Sequence, residues 1–217
     1  AASRYNILLD YTRRWMNSLG AEWKTEVNLG TPSGIYSEYY QPLDATRLFF
    51  ISPYAQWKQD LYDVYDGNKR ESQFRVSRYE GGIDLGIQPW MYGEGRVGLK
   101  YAKLNAREKT GEVDLPDNKI TSGAIVVRGR VDQGDNVNFP NKGYNANFDS
   151  LSSMKGLGSD DSYNKAQASA FGAFTFMKQT ILASIKAGTY IGNDLPFYDQ
   201  FSLGGFLNLS GLHTNQL

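Results

Sequence analysis

The chain has 217 residues, enough for one sizeable domain or a single barrel, and its 23 Lys and Arg balance 23 Asp and Glu at a formal net charge of zero. The charges are scattered, so no basic face is set apart for nucleic acid or anionic lipid. There is no cysteine, which excludes a disulfide framework and thiolate metal or redox sites, and no run of about 18 apolar residues, which excludes helical membrane spans.

Ala1 to Tyr5 show no basic segment followed by an apolar one, so a secretory signal is expected upstream or already removed. From there Tyr5, Ile7, Leu9 and Tyr11 alternate with Asn6, Asp10, Thr12 and Arg14, the period-two pattern of a strand with one apolar and one wet face. Asn17 to Gly20 supply a turn. In the second strand Ala21, Trp23, Thr25, Val27 and Leu29 face one way, and Glu22, Lys24, Glu26 and Asn28 the other.

Gly30 to Ser33 turn the chain again and Ile35 to Tyr40 return. Gln41 to Asp44 then lead into Phe49, Ile51, Pro53, Ala55 and Trp57, alternating with Phe50, Ser52, Tyr54, Gln56 and Lys58. Pro53 has no N–H for a ladder bond, so a bulge or irregularity is expected there. After a hairpin through Asp66, Gly67 and Asn68, Phe74 and Val76 are apolar at even positions but Ile83, Leu85 and Ile87 at odd ones. A phase-changing bulge is therefore expected at Gly81-Gly82.

Beyond Gln88 and Pro89, Val97, Leu99 and Tyr101 oppose Glu94, Arg96 and Lys100, and a polar loop is expected from Arg107 to Lys119. Four more strands follow. Ile125, Val127 and Val131 oppose Arg128 and Arg130; Tyr144, Ala146 and Phe148 oppose Asn145, Asn147 and Asp149. Ala166, Ala168, Ala170, Phe174 and Phe176 oppose Lys165, Gln167 and Ser169; Ile181, Ala183 and Ile185 oppose Ser184 and Lys186.

Ten strands of this kind predict an all-β fold, a transmembrane antiparallel β-barrel with apolar side chains toward lipid and polar ones toward an aqueous lumen. A soluble barrel or sandwich would point the same apolar residues into a core. Against that stand a charged face that would have to cover the whole outside, an apolar face rich in Ala and Gly, and aromatics recurring near strand ends as girdles do. Glu22, Lys24, Glu26, Arg128 and Arg130 are predicted to face the lumen and pair across strands.

Two segments narrow the family. Asp132-x-x-Asp135 followed by Phe139-Pro140-x-x-Gly143 resembles the central hairpin signature of the bacterial surface antigen superfamily, which includes outer-membrane assembly and two-partner-secretion barrels. Leu203-Gly204-Gly205 resembles the start of that superfamily's loop, which folds back into the lumen; Ser210-Gly211-Leu212 stands where the family carries an Arg-Gly-aromatic tip. The stretch from Leu203 through Asn208, Leu209, Ser210 and Gly211 is most like the C-terminal barrel of patatin-type (type Vd) autotransporters, and Ser37 to Leu43 resembles the same subgroup.

The resemblance implies a single barrel domain over 1–217, incomplete at both ends. It holds about ten of an expected sixteen strands, and 197–217 begin the inward loop. It also implies residence in the outer membrane of a diderm bacterium, among lipid and lipopolysaccharide, after insertion by the barrel assembly machinery. The barrel's role would be to anchor, and to export, its own N-terminal patatin-like phospholipase passenger. The alternatives are an outer-membrane diffusion pore and a soluble β-barrel binding module.

No catalytic residue, metal ligand or cofactor is assigned to the chain itself. Gly-x-Ser-x-Gly, the nucleophile elbow of a patatin-like lipase, does not occur in it. His213 is the only histidine, so a Ser-His site on a phospholipase-like outer wall would have to be built around it. Asp160-Asp161 and Asp132/Asp135 have the charge for calcium, yet solvated loop acids are the commoner case. The pattern gives no reading of oligomeric state.

Overall fold

The computed structural model describes residues 6–66, 69–89, 91–110, 119–136, 140–192, 195–196 and 199, with the backbone alone at 62–66, 69–74 and 106–110. It contains ten strands: β1 (Asn6–Arg13), β2 (Glu22–Gly30), β3 (Ser33–Pro42), β4 (Phe49–Asp66), β5 (Lys69–Ile87), β6 (Glu94–Thr110), β7 (Lys119–Asp132), β8 (Lys142–Ser153), β9 (Tyr163–Phe176) and β10 (Gln179–Gly192). They form one antiparallel sheet in chain order, each strand beside its sequence neighbours, with β1 and β10 at its edges among the described residues. The expected all-β architecture and strand count hold.

The alternation in the sequence becomes two chemically distinct faces. Ile7, Leu9, Trp23, Leu29, Ile83, Leu85, Val97, Leu99, Phe148, Phe174, Ile181 and Ile185 are exposed on one face. The opposite face holds the buried side chains, among them Phe50, Ser52, Tyr54, Asp84, Ala102 and Val126. Apolar side chains left in the open suit a lipid solvent, because the sheet satisfies its backbone groups internally. The arrangement inverts the ordering of a soluble domain.

The lower ends of the strands are nearly flush, since Pro42 pairs with Phe50, Phe49 with Ile87, and Glu94 with Arg130. The upper ends are staggered. Ser33 at the start of β3 is opposite Gln59, and beyond it β4 continues to Asp66 paired only with β5.

At Pro53 the β3–β4 ladder passes from Glu38↔Tyr54 to Gln41↔Ile51 without a change of register, an irregularity and not a bulge. The bulge expected at Gly81-Gly82 is absent: Tyr54↔Gly82 and Ala55↔Gly81 continue the register of Phe49↔Ile87, and the shifts lie at Val64/Tyr65 and Gln73/Phe74. β5 keeps its phase because Val76 points inward, where it packs with Ala102, Leu104 and Ile120 in a small apolar cluster. The inner wall itself changes from polar to apolar toward the upper end. The expected loop at Arg107–Lys119 is shorter than its polar composition implies, as β6 runs to Thr110 and β7 begins at Lys119.

Candidate functional site

The inner wall carries a charge array built from five consecutive strands. β3 contributes Tyr36 and Glu38, β4 Phe50, Ser52 and Tyr54, β5 Asp84, β6 Glu94 and Arg96, and β7 Arg128. Period-two alternation puts them all on one face. The Arg96 guanidinium donates to Glu38 Oε1 at 2.6 Å, crossing β4 and β5, which the concavity of the sheet permits. Arg96 Nε also donates to Glu94 Oε1 at 2.5 Å. Glu38 accepts further bonds from the hydroxyls of Ser52 at 2.5 Å and Tyr36 at 2.7 Å.

Arg128 donates to Asp84 Oδ2 at 2.6 Å and to the Tyr54 hydroxyl at 3.1 Å. Arg96 lies 3.7 Å from the same Asp84 oxygen. Each guanidinium also sits over an aromatic face, Arg96 above Phe50 at 5.0 Å and Arg128 above Tyr54 at 5.4 Å. Asp84 is only 1% exposed, so its charge is stabilised by these two cations in place of water. Its Oδ1 is buried and has no hydrogen-bond partner among the described residues.

Glycines make room for this layer. A Cβ on Gly86 would run into the Phe50 ring, one on Gly82 into the Tyr54 ring, and one on Gly98 into Asp84 Oδ1. Gly82, which the sequence pattern had suggested as part of a bulge, is a seat for a tyrosine. Below the array opens a polar cavity of about 810 Å3 lined by Asp10, Lys24, Glu38, Arg47, Glu94 and Arg96.

The five predicted lumen residues all lie on this wall. Lys24 pairs with Glu26 at 2.5 Å and Asp10 at 3.6 Å, Glu22 lies 3.9 Å from Arg14, and Arg130 pairs with Asp149 at 2.7 Å. Only Arg128 belongs to the central array. Sequence reasoning missed Glu38, Asp84 and Arg96 as a set. Alternation gives their face, but which strands' side chains meet depends on curvature. The signal that was available is the presence of Asp84, Arg96 and Arg128 at inward positions of three adjacent strands.

The hairpin motif is locally saturated. Asp132 Oδ1 accepts the Gly134 N–H at 3.1 Å, and Asp135 Oδ1 accepts those of Lys142 at 3.2 Å and Asn141 at 3.0 Å. The Lys142 N–H, then that of Asn141, holds the Asp135 carboxyl below the usual carboxylate range. Gly143 has φ +116°, and a Cβ there would strike the Gln133 carbonyl. Pro140 lies at the hairpin; Phe139 falls outside the described residues.

Asp160 is likewise engaged, accepting the Thr121 N–H at 2.6 Å and hydroxyl at 2.9 Å, which lower its pKa in that order. These acids are used by the protein itself, and no group of three metal-ligating side chains occurs among the described residues.

After β10 the chain meets the inner wall again. Asp199 accepts the Tyr163 hydroxyl at 2.7 Å, and its backbone carbonyl accepts from Lys165 Nζ at 2.6 Å. Leu203, Gly204, Gly205, Asn208, Leu209, Ser210, Gly211 and His213 lie outside the described residues.

A family model described as the Omp85 superfamily domain matches residues 3–217. Among solved structures, BamA from Haemophilus ducreyi lacking POTRA domains 1–3 matches with a TM-score of 0.72 at 14% identity, over 93% of this chain and 42% of that one. The likeness is one of fold, and the match covers less than half of that structure's length. A search of curated proteins finds no match.

Proposed function

Because the chain belongs to the Omp85 superfamily, the superfamily its hairpin motif resembles, we propose that it is the membrane-embedded barrel of a diderm outer-membrane protein. In this reading it anchors an N-terminal patatin-like phospholipase passenger and takes part in its export. The chain itself is non-catalytic and needs no cofactor. The barrel sits among phospholipid and lipopolysaccharide after insertion by the assembly machinery, with the staggered ends of β4–β7 toward the cell exterior.

The observation that carries the reading is the division of one sheet into an apolar face and a face of paired charges. The first fits lipid, and the second fits a hydrated passage or a polar segment of polypeptide. The loop from Phe201 to Leu217 is assigned a role in the lumen, regulating or bracing the barrel, on resemblance to the superfamily's inward-folding loop. The test is fractionation of the full-length protein with heat-modifiable gel mobility and protease accessibility of the passenger on intact cells. An outer-membrane, heat-modifiable species with an exposed passenger is expected; a species soluble without detergent overturns the reading.

The polar cavity beneath the charge array favours a second reading, a diffusion pore. Steady conductance in planar bilayers whose ion selectivity changes on neutralising Arg47 and Glu94 would support it.

A further inference from the structure

Outward positions at the upper ends of β5, β6 and β7 change from apolar to cationic. On β5, Ile83 and Tyr79 are followed on the same face by Arg75; on β6, Leu99 and Tyr101 by Lys103; on β7, Val127 and Ile125 by Lys119. Tyr79 and Tyr101 are 53% and 45% exposed, at the level where the lipid-facing band ends. Tyr79 stands opposite Lys103, which stands opposite Thr121, and Lys119 stands opposite Asn105. Lys103 Nζ lies 6.0 Å from the Tyr101 ring centre.

Arg75, Lys103 and Lys119 are exposed, and none joins an ion pair among the described residues, whereas the inward cations Arg96, Lys100, Arg128 and Arg130 all do. Asp160, docked on Thr121 across from Lys103, turns its carboxylate to Thr121. Cations projecting from the wall just beyond an aromatic belt lie at headgroup depth, where anionic lipid attracts them. The three stand on three adjacent strands, about 10 Å across, and Arg75, opposite Arg107, lies four residues or about 13 Å further along the wall than Lys103. That spread exceeds one phosphodiester and suits a headgroup carrying two phosphates.

We propose that this patch binds the phosphorylated headgroup of lipopolysaccharide, with Arg75, Lys103 and Lys119 meeting phosphate and Tyr79 and Tyr101 packing at the sugar–acyl boundary. The inference rests on the orientation proposed above.

The test uses full-length protein freed of lipopolysaccharide in detergent, with binding of bis-phosphorylated and mono-phosphorylated lipopolysaccharide compared with phosphatidylglycerol. A variant combining Arg75→Ser, Lys103→Ser and Lys119→Ser, its fold checked by heat-modifiable mobility, is run beside it. Expected are tighter binding of the bis-phosphorylated form and a loss on the order of a hundredfold in the variant. Equal binding by the variant, or equal competition by phosphatidylglycerol, overturns the proposal. Orientation is read separately by Lys119→Cys, with the unsubstituted full-length protein as the labelling background, since these 217 residues contain no cysteine. Labelling by an impermeant maleimide on intact cells supports the exterior face. Without labelling the orientation fails, and any binding seen would not be to the outer leaflet.

Discussion

Arg96 and Arg128 stand directly opposite each other on β6 and β7, and the Asp84 carboxylate holds both, at 3.7 and 2.6 Å. Like charges facing each other across a strand pair destabilise a sheet. Asp84 is thus the counter-ion on which the two arginines depend, and the Arg96–Glu38 bond ties that cluster to β3.

Replacing Asp84 with Ala leaves two facing cations that are only 17% and 24% exposed. The expected cost is about 3 kcal/mol, measured as a lowered midpoint for denaturant unfolding in detergent. Arg128→Met combined with Asp84→Ala should cost less than the two single changes added together, because the double change removes both the repulsion and the buried carboxylate.

Gly86→Ala drives a methyl group into the Phe50 ring, whereas Gly95→Ala on the outer face meets nothing closer than Ile87 Cγ2 at 3.5 Å. The first should destabilise by about 1–3 kcal/mol and the second by less than about 0.5 kcal/mol. Thermal loss of heat-modifiable mobility separates the two variants.

Ala168 and Gln167 are neighbours on β9 that face lipid and lumen respectively. Arginine at 168 should cost about 2–4 kcal/mol if placed near the bilayer midplane, and arginine at 167 far less. Equal costs, measured by refolding into lipid vesicles, would remove the membrane assignment of the outer face.

The Asp135 carboxyl is held below the usual range by the Lys142 and Asn141 N–H groups. A carboxyl with a depressed folded pKa stabilises above its unfolded value near about 3.9 and loses that contribution as pH falls through the lower folded value. The hairpin should therefore gain protease sensitivity below about pH 4 in the wild type. Asp135→Asn should show raised sensitivity already at neutral pH, with a flatter acid response.

Strand number, strand phase and the two-faced wall are legible from alternation alone, since a period of two assigns each side chain to a face. Val76 defeats that reading because the inner wall becomes apolar at its end of β5, which makes an unbroken strand look as if it changed phase. Gly81-Gly82 mislead for a related reason: glycine marks a bulge and the seat of an aromatic ring equally well. The Glu38–Arg96 contact spans two intervening strands, and no local pattern reports curvature. Asp132 and Asp135 were recognisable as a motif, while the N–H groups that occupy them become visible only once the turn is folded.

The fit of Phe50 onto Gly86, Tyr54 onto Gly82 and Asp84 onto Gly98 gives the inner wall an evolutionary grammar. Bulk gained at one member of a pair has to be surrendered at the other, so the partners should drift together. Among relatives of this chain, a larger residue at the position of Gly86 should coincide with a smaller one at the position of Phe50. A relative that replaces Gly98 should also have lost the Asp84 carboxylate, and with it the need for two facing arginines.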